Sequence, residues 1–66
     1  MTVTVNGQRW EFPGGATLAD VLERLDVPAL GVAVALDGAV VPRTSWPGTV
    51  LRDGTTVEVL TATQGG

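Results

Sequence analysis

The sequence predicts an α+β domain in which a mixed sheet of about five strands carries one main helix on one face. Three observations lead to this prediction. Short segments alternate between polar and apolar residues, one segment between them has helical spacing, and tight-turn pairs separate the alternating segments. With 66 residues the chain has room for a single domain. A domain of this size buries only roughly 60% of its unfolded surface, so the expected core is small.

The first two strands are predicted to form a hairpin. Residues 2–5 alternate between threonine and valine, which is the period of a half-buried strand. Asn6 and the glycine after it favour a type I′ turn, because both central residues of that turn need positive φ. Residues 8–12 alternate again and place Trp10 and Phe12 on one face. We therefore expect Trp10 in the core, with a contact to a partner as the alternative.

A helix is predicted over residues 17–25, because the apolar residues there change to helical spacing. The apolar stripe comprises Leu18, Val21, Leu22 and Leu25. Thr17 is the expected N-cap, and Asp20 lies where the positive end of a helix favours a carboxylate. Pro28 and Gly31 are expected to close the helix, and Arg24 is expected on its solvated face. A helix of about two turns is unstable alone in water, so it must pack on the sheet.

The second half of the chain predicts another hairpin and a last strand. Residues 32–36 are expected to form a buried strand, and Asp37 begins an Asp-Gly turn into a return strand at residues 39–41. An irregular connection containing Trp46 follows, and Trp46 is either a core residue or a partner contact. Residues 56–60 are expected to form the last strand.

The order of these elements predicts how the strands pair. The helix makes the first half of the chain a crossover, so the last strand is expected to lie beside the first strand and parallel to it. This is the β-grasp, or ubiquitin-like, architecture. Residues 1–60 are the expected β-grasp domain, and residues 61–66 are expected to form a flexible tail that ends in Gly-Gly.

The composition excludes several classes of function. The chain has no cysteine and no histidine, and all four of its basic residues are arginine. A zinc site, a histidine-dependent nucleophile and a lysine-dependent phosphate loop are therefore not expected. The net charge of −3 argues against nucleic acid as a partner. No apolar run approaches the length that crosses a membrane, and no signal peptide is evident, so we expect a cytoplasmic protein that binds neither metal nor cofactor.

Several motifs together resemble those of a known family. They are the opening Val3-Thr4-Val5-Asn6-Gly7, the helix start Thr17-Leu18-Ala19-Asp20, the segment from Val32 to Arg43 with Val41-Pro42-Arg43 and then Trp46, the turn Leu51-Arg52-Asp53-Gly54, and the terminal Gly65-Gly66. The chain resembles the ThiS/MoaD family of ubiquitin-like sulfur carriers over nearly its whole length. Asp37 stands where the family usually has asparagine, and Thr55 where it usually has an acidic residue. Thr63-Gln64 lacks the prolines that the molybdopterin branch tends to carry, which favours the thiamine branch.

The resemblance implies a function for the tail. It implies that a ThiF-like enzyme adenylates Gly66 and that the terminus becomes a thiocarboxylate. The sulfur would come from a cysteine desulfurase or another persulfide donor and pass to the thiazole synthase ThiG. The chain would then be a carrier and not an enzyme. A molybdopterin carrier, a ubiquitin-like protein modifier and a non-covalent interaction domain remain as alternatives.

The chemistry of the tail agrees with this implication. A free α-carboxylate is ionised at neutral pH and is a poor electrophile, so Gly66 needs activation before it can react. Gly65 has no Cβ, which would let an activating enzyme enclose the backbone closely.

A docking surface is predicted beside the tail. If the valines of the last strand face the helix, Glu58 and Leu60 face away from it. Ala33 and Ala35 are expected on the same open face of the sheet. An exposed leucine framed by small residues suits docking, although single exposed leucines are also common on protein surfaces.

Overall fold

The five strands and the helix of the prediction are all present. The computed structural model describes residues 1–28 and 30–61. The elements in chain order are β1 (Thr2–Val5), β2 (Gln8–Glu11), α1 (Leu18–Leu25), β3 (Val32–Leu36), β4 (Ala39–Val41), a 3₁₀ helix (Arg43–Gly48) and β5 (Thr56–Thr61). The strand order is β2-β1-β5-β3-β4. β5 lies at the centre, parallel to β1 and antiparallel to β3, which confirms the predicted β-grasp fold.

Both predicted hairpin turns are confirmed. Asn6 and Gly7 have φ of 48° and 83°, and Asp37 and Gly38 have φ of 48° and 89°. These are the left-handed conformations that a type I′ turn requires of both central residues. Because each turn has two residues, the register of each hairpin follows directly from the turn.

Helix α1 begins and ends where predicted, but the residue that closes it is not the one expected. The Thr17 hydroxyl accepts a hydrogen bond from the Asp20 N–H at 3.3 Å, and the Asp20 carboxylate accepts one from the Thr17 N–H at 2.9 Å. This reciprocal pair is a capping box. At the other end, Asp26 adopts a left-handed conformation with φ 58° and donates its N–H to the Glu23 and Leu22 carbonyls. The helix is thus closed at Asp26, so the expectation that Pro28 and Gly31 close it is wrong.

The core lies between α1 and one face of the sheet. Its buried side chains are Val3, Val5, Phe12, Ala16, Leu18, Val21, Leu22, Val34, Trp46, Leu51, Val57 and Val59. The prediction of a buried β3 is wrong in part, because Val34 is buried whereas Ala33 is exposed. The reason is that α1 covers only one face of the sheet, so alternate residues of β3 meet solvent.

The connection after β4 is more regular than predicted and places Trp46 in the core. Residues Arg43–Gly48 form the 3₁₀ helix, and the Trp46 side chain is buried. Its indole N–H donates to the Val41 carbonyl at 2.9 Å, which satisfies the polar group of a buried tryptophan. Trp46 is therefore a core residue and leaves little surface for a partner. Trp10 is half-buried and packs against the core, as expected.

Arg24 is exposed, as predicted, and its side chain also contacts residues at the end of β2. Its guanidinium lies 5.5 Å from the ring centroid of Trp10 and 5.0 Å from that of Phe12. It also donates to the Glu11 carbonyl at 2.7 Å. Arg24 therefore ties α1 to the end of β2 through cation–π contacts and a hydrogen bond.

The last strand extends one residue beyond the prediction. Thr61 belongs to β5 and is opposite Val32 of β3. The first residue of the predicted tail, Thr61, is therefore a strand residue, and residues 62–66 lie outside the described residues. None of the helices in residues 1–28 and 30–61 has the length and apolar character needed to span a membrane.

Candidate docking face and C-terminal tail

Strand β5 alternates between a core face and a solvent face. Val57 is fully buried and Val59 is 8% exposed, whereas Leu60 is 67% exposed. Glu58 is exposed as well. The orientation of Glu58 and Leu60 away from the helix is therefore as predicted. Because β5 is the central strand, these two side chains lie in the middle of the uncovered sheet surface.

Strand β3 supplies the two small residues of the prediction. Ala33 is directly opposite Leu60, and Ala35 is directly opposite Glu58. Cross-strand partners have Cβ atoms only about 4.5–5.5 Å apart, so the four side chains form one contiguous surface. The structure thus brings together all four residues that the sequence placed on this face.

A fifth residue, Val40, extends this surface and was missed. Val40 of β4 is directly opposite Ala35, and its side chain is 75% exposed. The signal was present in the sequence, because the two-residue turn at Asp37 forces the pairing of Ala35 with Val40. We call the surface formed by Ala33, Ala35, Val40, Glu58 and Leu60 the open sheet face.

The open sheet face is flat at its centre and apolar at both ends. The two alanines project little above the sheet, so Leu60 on β5 and Val40 on β4 stand out beside them. Glu58 is the one charged member of the open sheet face. The open sheet face thus offers two aliphatic side chains and one carboxylate, a combination that would suit a surface with apolar contacts and a basic or hydrogen-bonding group.

A shallow depression adjoins the open sheet face where β5 ends. It has a volume of about 320 Å³, and Gly31, Val32, Ala33, Leu60 and Thr61 line it. Thr61 is the last described residue of the strand. Leu60 and Thr61 are thus the last described residues before the rest of the predicted tail, and they adjoin the residues predicted for docking.

Gly65 and Gly66 lie outside the described residues, so their roles stay predictions. Within residues 1–28 and 30–61, no group of three or more acidic residues is placed to hold a metal ion.

Known proteins match this chain along nearly its whole sequence. The model of the ThiS family matches residues 3–66. The sulfur carrier protein ThiS of Escherichia coli (strain K12) is 30% identical over 66 residues, and the match covers 100% of each chain.

Two solved structures are similar as well. The crystal structure of the thiamine biosynthesis protein ThiS from Geobacter metallireducens superposes with a TM-score of 0.82 at 32% identity and 100% coverage of both chains. A solution structure of a thiamine biosynthesis protein from Geobacter metallireducens has a TM-score of 0.76 at 35% identity, with 100% of this chain and 88% of that chain covered. The family match and the relative of equal length lead to one conclusion: the chain belongs to the ThiS family.

Proposed function

We propose that this protein is a sulfur carrier in thiamine biosynthesis and that Gly66 carries the sulfur. In the first step a ThiF-like enzyme joins the Gly66 carboxylate to the α-phosphate of ATP and releases pyrophosphate. A persulfide formed by a cysteine desulfurase or another donor then attacks the acyl carbon and displaces AMP. Reduction of the resulting S–S bond by a thiol leaves the thiocarboxylate, which donates its sulfur to the thiazole synthase ThiG. The protein is a cosubstrate in these steps and not the catalyst.

One observation of the structure carries this proposal. The central strand β5 presents Leu60 on the open sheet face and extends to Thr61, five residues before Gly66 in the sequence. Residues 62–66 span at most about 17 Å when extended, which is enough to enter a cleft beside a docked surface. A partner that binds the open sheet face would therefore receive the C-terminus within reach of its active site.

The residue types of the tail support the same reaction. A carboxylate must be activated before sulfur can replace its oxygen, and adenylation turns it into an electrophile with AMP as the leaving group. Gly65 adds no Cβ beside the reacting group, so an enzyme can surround the terminal backbone on all sides. The family match runs to residue 66, which places Gly65 and Gly66 inside the matched region.

The docking residues proposed for these partners are Leu60, Glu58, Ala33 and Ala35, with Val40 as an addition from the structure. We infer that the ThiF-like enzyme and ThiG use this same face. The reason is that both must receive the tail, and Leu60 and Thr61 are the last described residues before the rest of it. The two partners would then bind in succession, with release from one required before transfer to the other.

Intact-mass spectrometry tests the carrier function. The protein is incubated with ATP, a sulfur donor and a ThiF-like enzyme from the same genome. A mass gain equal to one exchange of oxygen for sulfur is expected, and it should be absent without ATP. Recovery of the chain only in isopeptide linkage to other proteins would support a protein modifier instead. Transfer of the sulfur to a molybdopterin precursor, and not to ThiG, would support the molybdopterin alternative.

Variants of the terminus test the role of Gly66. Deleting Gly66, or adding one residue after it, is expected to abolish ATP–pyrophosphate exchange by the activating enzyme. One residue shifts the carboxylate by about 3.3 Å, and a misplacement of about 1 Å already costs up to roughly 100-fold in rate. Gly65→Val is the matched variant that keeps the length. It should still bind the activating enzyme, but ATP–pyrophosphate exchange with it should be slow. Undiminished exchange with the extended chain would show that Gly66 is not the reactive end.

A further inference from the structure

Side chains of the two hairpin turns hold β5 at its first residue and in its second half. Asp37, the first residue of the β3–β4 turn, accepts the Thr56 N–H on its Oδ1 at 2.9 Å. Asn6, the first residue of the β1–β2 turn, accepts the Val59 N–H on its Oδ1 at 2.8 Å. The Asn6 Nδ2 also donates to the Val59 carbonyl at 3.2 Å. Both turn residues have φ of 48°, so they are matched in backbone conformation.

The Asn6 amide replaces a missing part of the backbone ladder between β1 and β5. The backbone pairing reaches Val5 opposite Val57, and the Asn6 N–H donates to the Val57 carbonyl at 3.0 Å. At Asn6 the chain turns into the hairpin, so β1 cannot follow β5 further. The side-chain amide then supplies the acceptor and the donor that a next residue of β1 would have supplied to Val59.

This role requires the chemistry of asparagine in particular. An amide offers one acceptor oxygen and two N–H donors, and it matches the N–H and C=O of one peptide residue. A carboxylate of the same shape has acceptors only, so it would leave the Val59 carbonyl facing another oxygen. Asparagine also tolerates the left-handed conformation that the turn imposes.

We propose that Asn6 is a positioning residue for the activation of Gly66. By fixing Val59, it fixes the position of the two strand residues that follow, Leu60 and Thr61, and thus the point from which the tail continues beside the open sheet face. Without Asn6, the end of β5 is held by backbone pairing with β3 along one edge only. This inference rests on the proposed function of Gly66.

The test compares Asn6→Gly with Asp37→Gly. Glycine adopts the turn conformation without strain, so each variant removes only side-chain hydrogen bonds from one end of β5. Adenylation by the ThiF-like enzyme is measured below the melting temperatures of both variants. Asn6→Gly is expected to lower kcat about 10-fold with KM changed less than about twofold, because docking survives while the carboxylate is misplaced. Asp37→Gly is expected to leave kcat within about twofold of the wild type, because it frees the far end of β5.

Two further measurements separate positioning from a general loss of stability. Amide hydrogen exchange should accelerate at Val59 in Asn6→Gly and at Thr56 in Asp37→Gly. Asn6→Asp keeps the shape and the turn but loses the donor, so its kcat should also fall. It replaces the glycine variant if Asn6→Gly does not fold.

The outcomes are distinct. Equal kcat values for the Asn6 and Asp37 variants, with the wild type adenylated normally, would overturn the positioning role alone. Failure of the wild type to be adenylated would overturn the proposed function and this inference with it, while the hydrogen exchange would still report whether Asn6 holds β5.

Discussion

Replacing Leu60 by aspartate separates docking from folding. Leu60 is 67% exposed, so about a third of its side chain is removed from water. Full burial of a leucine is worth about 1.5–3 kcal/mol, so the buried third of Leu60 contributes about 0.5–1 kcal/mol. The lower strand preference of aspartate costs up to about 1 kcal/mol more. Leu60→Asp should therefore lower the free energy of unfolding by about 0.5–2 kcal/mol.

The neighbouring residue provides the matched control. Val59 is 8% exposed and points to the core, so Val59→Asp would bury a carboxylate among apolar side chains. A chain of 66 residues is expected to have a total stability of about 3–10 kcal/mol. Losing the valine and burying a charge would cost more than about 4 kcal/mol, which consumes much or all of that stability. Val59→Asp should be unfolded, or nearly so, at 25 °C.

Thermal unfolding followed by circular dichroism measures both effects. For a domain of this size each kcal/mol shifts the melting temperature by about 4–8 °C, so Leu60→Asp should still show a cooperative transition. Binding to the ThiF-like enzyme and to ThiG is then measured by calorimetry. Loss of a central anchor costs about 2 kcal/mol or more, which weakens the affinity about 30-fold. Leu60→Ser, which adds no charge next to Glu58, should also lower the affinity for both partners.

Two results would refute this reasoning. If Leu60→Asp unfolds as Val59→Asp does, the two faces of β5 have been assigned incorrectly. If Leu60→Asp stays folded and binds both partners with wild-type affinity, the open sheet face is not the docking surface. Val40 lies two strands away from Leu60, so Val40→Asp tests the rest of the open sheet face. Weaker binding by both variants would indicate that the whole face docks, whereas weaker binding by Leu60→Asp alone would indicate a local effect.

Two further predictions concern how α1 is held. Thr17→Ala removes the hydroxyl that caps the helix and should lower stability by about 1 kcal/mol, whereas Thr17→Ser should retain most of it. An unchanged melting temperature for Thr17→Ala would show that the capping box with Asp20 contributes nothing. Arg24→Gln removes the guanidinium from the rings of Trp10 and Phe12. It should lower the free energy of unfolding, measured with urea, by about 1 kcal/mol. Arg24→Lys should recover part of this loss, and equal stability of Arg24→Gln and the wild type would contradict the cation–π contact.

Glu58 is expected to oppose self-association of the protein through the open sheet face. The exposed aliphatic side chains of this face, Leu60 and Val40, lie on the uncovered side of the sheet, where solvent meets alternate residues of β3 and β5. Glu58 is two residues before Leu60 on β5 and is separated from Val40 by Ala35, and its carboxylate keeps the face from being wholly apolar. A carboxylate at this place opposes the stacking of two such faces, because each would bury the charge of the other.

The connection near Trp46 and the end of α1 show where prediction from local patterns failed. The sequence around Asp26 has both a residue that accepts a left-handed conformation and a nearby proline. Either can end a helix, and only the hydrogen bonds from the Asp26 N–H decide between them. Trp46 is buried because the 3₁₀ helix turns it toward the core, and no periodic pattern indicates that turn.

By itself the sequence determined the hairpins, the helix and the two faces of β5. These features depend on local chemistry: the left-handed turn residues, the spacing of apolar side chains, and the alternation of a strand. The open sheet face follows from the same rules, and Val40 could have been included by counting across the turn at Asp37. Tertiary structure alone decided the contact between Asn6 and Val59, two residues that are 53 positions apart. Such a contact exists only once the crossover has brought β5 beside β1, and burial of the core sets that arrangement, not any pattern near Asn6.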